Sequence, residues 1–143
     1  MREILCFGDS NTYGLIPGTK ERYKENIRWT GILQQKLKEQ DCRIVEEGLC
    51  GRTTVFEDEL RKNRKGSDLL PVLLESHAPI DQVVLMLGTN DCKSYYHDSS
   101  GRSDRRESIL RFFWSHRSFS EKKYGNRNMI RSLMNSQWRH PDS

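Results

Sequence analysis

Three short stretches of this sequence carry residue types suited to acyl transfer. The first is FGDSN, residues 7–11, which places Ser10 directly after the apolar residues Ile4 to Phe7. A serine at the end of a strand is well placed as an exposed nucleophile. Gly8 permits the sharp turn this requires. Asp9 suits a turn-stabilising role, because Asx side chains readily bond nearby backbone N–H groups. The second stretch is GLCGRTT, residues 48–54, in which Gly51 leaves a backbone N–H open to an incoming carbonyl. A donor to a developing oxyanion must be accessible in that way. The third is LGTND, residues 87–91, where the Asn90 side-chain amide can donate to the same oxyanion. Taken alone, Gly51 also reads as a turn glycine and Asn90 as a turn or cap residue. Their order, and the strand expected before each, gives them weight.

Hydrophobic periodicity supplies those strands. Residues 3–7 read as a first strand ending at Gly8. Asn26 can cap a helix in which Trp29, Ile32, Leu33 and Leu37 recur on one face. Gly31 weakens that helix by about 1 kcal/mol relative to alanine. Residues 42–45 form a second strand, followed by a loop over 46–54, and the charged run 57–67 reads as a surface connection. A helical pattern spans 69–77, with Pro71 expected in its first turn and Pro79 closing it. Residues 81–87, DQVVLML, form a continuous apolar run of the kind buried on both faces of a parallel sheet. Strand, helix, strand, helix, strand predicts a parallel sheet with helices on both faces. Ligands bind such sheets at the carboxyl ends of the strands, where all three stretches lie.

FGDSN, GLCGRTT and LGTND resemble the first three sequence blocks of the SGNH, or GDSL, hydrolase family. RWTGIL (28–33) and SHAPIDQVVLMLGTNDCK (76–93) are similar to an arylesterase and acyltransferase-like branch of it. The resemblance covers most of residues 3–97. It implies a flavodoxin-like α/β/α sandwich and hydrolysis of small acyl esters, with no metal or organic cofactor. It also implies that Ser10 is the nucleophile, and that Ser10 N–H, Gly51 N–H and the Asn90 side chain form the oxyanion hole. An oligomer is implied for the branch. Tyr13 and Trp29 could lie near an acyl pocket, although both also read as packing residues.

The family's last block is Asp-x-x-His, whose histidine takes the serine proton while the aspartate orients it. Here the residues three positions before His77, His97, His116 and His140 are Leu74, Ser94, Phe113 and Gln137. None is acidic. His140-Pro141 imitates the end of that block, with Gln137 in place of the aspartate.

Composition divides the chain near the same point. Residues 1–97 hold 14 Lys/Arg and 15 Asp/Glu, whereas residues 98–143 hold 10 and 5, so the formal +4 charge comes from the tail. The tail also has ten serines, eight arginines, no valine and no alanine. We therefore expect an SGNH-like part over 1–97 and a basic, Ser/Arg-rich tail over 98–143, truncated or frame-shifted relative to the family. Ile109 to Trp114, and Met129, Ile130, Leu133 and Met134, fit a helical turn or two, and no fourth strand is legible. Without one, the sheet is incomplete and the VVLML edge is unpaired, which favours aggregation. Two alternatives to a working esterase follow. One is a catalytically impaired relative without the His/Asp pair. The other is nucleic-acid binding through the tail's arginines and its aromatics Phe112, Phe113, Trp114, Tyr124 and Trp138.

The longest apolar run, 83–87, is too short to span a membrane. The absence of a signal-peptide pattern predicts a cytoplasmic protein. Cys6, Cys42, Cys50 and Cys92 lack metal-binding spacing and are expected to be buried thiols.

Overall fold

The computed structural model describes residues 1–93 and the strand Ile130–Ser132. Its central strand is β1 (Arg2–Gly8), flanked by β2 (Cys42–Gly48) and β3 (Gln82–Met86). All pairings are parallel and the sheet order is β2-β1-β3-β4, with β4 at Ile130–Ser132. Gly8 is level with both Gly48 and Met86, so the three longer strands end side by side. The expected α/β architecture with a parallel sheet is present.

The fourth strand corrects the sequence reading. Val83, Val84 and Leu85 pair with Ile130, Arg131 and Ser132. A short apolar run reads equally as a helical turn or a strand on periodicity alone. What decides it is β3, which pairs with β1 on one side only and presents unpaired backbone groups on the other. Part of the edge expected to be bare is therefore covered. The tail's aromatic cluster, its histidines and the helical turn expected at Ile109 to Trp114 lie outside the described residues.

Alternation along the strands builds two apolar layers. On one face Leu5, Phe7, Val83 and Leu85 pack with Leu70 and Leu74 of α3 (Gly66–Ser76). On the other, Ile4, Cys6, Cys42 and Val84 pack with Trp29, Leu33 and Leu37 from α2 (Trp29–Lys36) and its end. Full burial of each such aliphatic side chain is worth about 1.5–3 kcal/mol. Val83, Val84 and Leu85 are all buried, as the continuous apolar run predicted.

Several boundaries differ from those expected, each for a local reason. α2 is capped at Arg28 rather than Asn26. Arg28 is held in place by hydrogen bonds to Glu46 and to the Tyr23 carbonyl. Ile32, expected on the packed face, is exposed. Gly31 is buried, and the Glu25 carbonyl oxygen approaches so closely that a β-carbon would lie 1.9 Å from it. β2 runs on to Gly48 by pairing with β1, with Glu46 and Glu47 meeting partners on opposite faces. Glu46 accepts hydrogen bonds from Arg28, Arg22 and Thr30, while Glu47 Oε1 lies 2.8 Å from His77 Nε2. α3 begins at Gly66, where the Gly66 and Ser67 N–H groups donate to the Thr53 and Thr54 carbonyls. Pro71 accordingly falls in the second turn, not the first.

β2 is the outer strand on its side, and its free edge is partly covered. Gln34 donates through Nε2 to the Cys42 carbonyl (2.9 Å) and accepts through Oε1 from the Ile44 N–H (2.7 Å). Cys6 and Cys42 are buried thiols as expected, whereas Cys50 and Cys92 are half-buried. Burial, aided by the nearby Glu46 charge, pushes the Cys6 thiol up to about 12. Among the described residues no helix is long and apolar enough to cross a membrane.

Candidate functional site

The loop after β1 is set by its acidic residue. Asp9 is buried, and its Oδ1 accepts the Asn11 N–H at 2.9 Å, capping the single-turn helix α1 (Ser10–Tyr13). This is the turn-stabilising role its type predicted. Burial raises the Asp9 carboxyl above its ordinary range, and the bonds from Asn11 partly offset this. Ser10 opens α1 and is half-buried. The turn needs glycine at position 8, since a β-carbon there would lie 2.0 Å from Thr12 Oγ1.

The loop after β2 is fastened to the first. Leu49 N–H donates to the Gly8 carbonyl at 3.1 Å. Gly51 follows with φ +83°, the left-handed region that favours glycine, and a β-carbon on it would come within 2.8 Å of Arg61 Nη1. Arg52 then turns inward. It is 4% exposed, and its Nη1 donates to the Gly8 carbonyl (3.1 Å) and to the Glu47 carbonyl. Its guanidinium lies over the Phe7 ring, 4.0 Å from the centroid. Burial lowers its pKa to about 10.

The loop after β3 closes the set. Asn90 Nδ2 donates to the Arg52 carbonyl at 3.0 Å. Asp91 is fully buried and accepts from both the N–H and the hydroxyl of Thr54. Burial raises its carboxyl above the usual range, and the Thr54 bonds pull it back. One line of hydrogen bonds thus runs from Asn90 to Arg52 to Gly8, joining the three loops that carry Ser10, Gly51 and Asn90.

Residue type alone does not single out Arg52 or Asp91 as members of this loop network. Arginine and aspartate are usually placed at the surface on type alone, and their spacing matches no catalytic pattern. The signal available was position: each directly follows a candidate donor. Tyr13 and Trp29 take packing roles. The Arg22 guanidinium lies 4.6 Å from the centre of the Tyr13 ring, and Trp29 packs against the Ile4 cluster. His77, the histidine among the described residues, is paired with Glu47 rather than with anything three positions before it. A cavity of about 350 Å³ lies beside α2, lined by Arg28, Thr30, Gln34 and Glu46 among others. Ser10, Gly51 and Asn90 do not line it.

The sequence pattern of the GDSL-like lipase/acylhydrolase family matches residues 6–136, most of the chain. The protein belongs to this family. Its match continues past residue 97 into the Ser/Arg-rich segment. Among solved structures, the aryl esterase of M. smegmatis is similar at 35% identity with a TM-score of 0.77. Est24, a carbohydrate acetylesterase from Sinorhizobium meliloti, is similar at 36% identity and the same TM-score. Each alignment covers 93% of this chain and 62% of the other, so the GDSL-like chain described here spans less than two thirds of these neighbours' length. No curated protein matches it.

Proposed function

We propose that the chain is built for serine ester hydrolysis of small acyl esters, with Ser10 as nucleophile. The Ser10 and Gly51 N–H groups and the Asn90 side-chain amide are the oxyanion donors. The observation that carries this reading is the link Asn90–Arg52–Gly8, which ties the three loops together at the carboxyl ends of adjacent parallel strands. In the reaction, Ser10 Oγ attacks the ester carbonyl carbon and loses its proton to a base. Negative charge on the former carbonyl oxygen is met by the three donors. The alkoxide leaves with a proton, and water then hydrolyses the acyl-serine. The solved neighbours named as an aryl esterase and a carbohydrate acetylesterase support acetyl esters as the first substrates to try.

A second reading is an impaired relative that keeps the nucleophile and donors without a general base. Two observations favour it: His77 is engaged by Glu47, and no histidine in the chain follows an acidic residue at the family spacing. The test separating the two is hydrolysis of 4-nitrophenyl acetate by this chain and by Ser10→Ala. Ser10-dependent turnover at ordinary enzymatic rates supports the esterase. Equal, slow rates for both proteins overturn it in favour of the impaired form.

A further inference from the structure

Arg52 is costly to bury, and the Glu47 and Asp9 charges that favour the cation do not outweigh that burial. It is 4% exposed and makes no salt bridge with a carboxylate among the described residues. Its Nε–H is buried without a hydrogen-bond partner among the described residues. Even a buried ion pair is often replaced by well-packed apolar residues without loss of stability, so burial alone is weak evidence that a charge is kept for stability. What an apolar residue could not supply is the pattern of contacts. The planar guanidinium lies on the Phe7 ring and gives Nη1 to carbonyls at the ends of two strands, Gly8 of β1 and Glu47 of β2. The backbone of the same residue follows Gly51 directly, and its carbonyl accepts one N–H of the Asn90 amide. An amide has two N–H donors in one plane. Fixing one of them sets the direction of the other.

We propose that Arg52 is the positioning residue of this site, holding the Ser10, Gly51 and Asn90 loops in a single arrangement through its side chain and its carbonyl. The inference rests on the nucleophile reading above for its chemistry, but its geometry can be tested separately. A misplacement of about 1 Å in a preorganised site costs on the order of a hundredfold in rate. Loss of the guanidinium should therefore act on Ser10 reactivity more strongly than on folding.

The experiment uses the whole chain and three readouts. The first is the rate at which diethyl 4-nitrophenyl phosphate modifies Ser10, followed by intact mass with Ser10→Ala as control. In that reaction Ser10 Oγ bonds to phosphorus, 4-nitrophenolate leaves, and the serine proton passes to solvent. The second is the pair of Asn90 side-chain amide signals in a 15N-labelled NMR spectrum. The third is the thermal melt. For Arg52→Met we expect Ser10 modification to slow about a hundredfold, the two Asn90 amide proton shifts to converge, and the melt to fall only modestly, as the Gly8 and Glu47 carbonyls lose a donor. Arg52→Lys, which keeps charge and reach without the planar fork, should fall between them and serves if the methionine variant does not fold. A wild-type modification rate with unchanged Asn90 shifts overturns the proposal. So does a lowered melt at an unchanged modification rate, which would make Arg52 structural only. If wild-type Ser10 is not modified at all, the nucleophile reading fails and the Asn90 signals alone decide the role of Arg52.

Discussion

Arg28 and Arg52 are both largely withdrawn from solvent, and they solve the problem of a buried charge in opposite ways. Arg28, at the start of α2, meets Glu46 through two nitrogens and also donates to the Tyr23 carbonyl. Its bonds to Glu46 outweigh burial and raise its pKa. Arg52, among the carboxyl-end loops, meets carbonyls and a ring but no carboxylate within ion-pair distance among the described residues, and burial lowers its pKa to about 10. The α2 flank is compensated, as a structural ion pair should be. At the loop crest the Glu47 and Asp9 charges favour the cation only in part, and burial outweighs them. Strongly desolvated groups of this second kind concentrate at functional sites, where position matters more than stability.

The comparison can be broken in three places. The largest effect should come from Phe7→Ala, which removes both a fully buried core ring and the surface on which Arg52 lies. We expect a loss of about 3–5 kcal/mol in denaturant unfolding, with Ser10 reactivity falling in whatever fraction remains folded. Full reactivity in the folded fraction would count against coupling between Arg52 and its support.

Glu46→Ala should cost about 1.5–3 kcal/mol, the range for hydrogen bonds to charged groups, and should leave Ser10 reactivity unchanged. Burial works to raise the Glu46 carboxyl, but hydrogen bonds from Arg28 and Thr30 outweigh it and the net shift is downward. A lowered folded pKa stabilises above the unfolded value, 4.5, and that stability is lost as pH falls through the folded value. The cost of the substitution should therefore be present at neutral pH and fade in acid. Equal unfolding midpoint shifts at pH 7 and pH 3 would refute this.

The smallest effect is expected from Asp91→Asn, with the opposite sign in pH. Burial raises the Asp91 carboxyl from 3.8. A raised folded value stabilises below the unfolded one and is lost as pH rises through the folded one. The wild type should therefore gain on the variant in acid, and the gap should narrow from about pH 4 toward neutrality. A gap that widens toward neutrality in paired melts would overturn the assignment.

Much of the fold was legible because the signals were local. The apolar run over 83–85, the turn at Gly8 and the acid at position 9 each dictate their structure without help from elsewhere. What escaped depends on distant partners. β2 extends to Gly48 by pairing with β1, with Arg28 and His77 meeting Glu46 and Glu47 on its two faces, and β4 forms against an edge that periodicity cannot see. The site divides in the same way. Ser10, Gly51 and Asn90 could be picked out by type and by the strand before each. Arg52 could not, because nothing in a sequence of turn residues says that an arginine will fold inward onto a phenylalanine forty-five positions earlier.

Gln34 has a bearing on how this sheet can grow. By giving Cys42 and Ile44 the donor and acceptor that a neighbouring backbone would offer, one side chain on α2 seals part of the β2 margin. A foreign strand arriving there would have to displace that amide before it could pair. The sheet therefore has a direction: it is partly sealed along β2 and extended beyond β3 by β4.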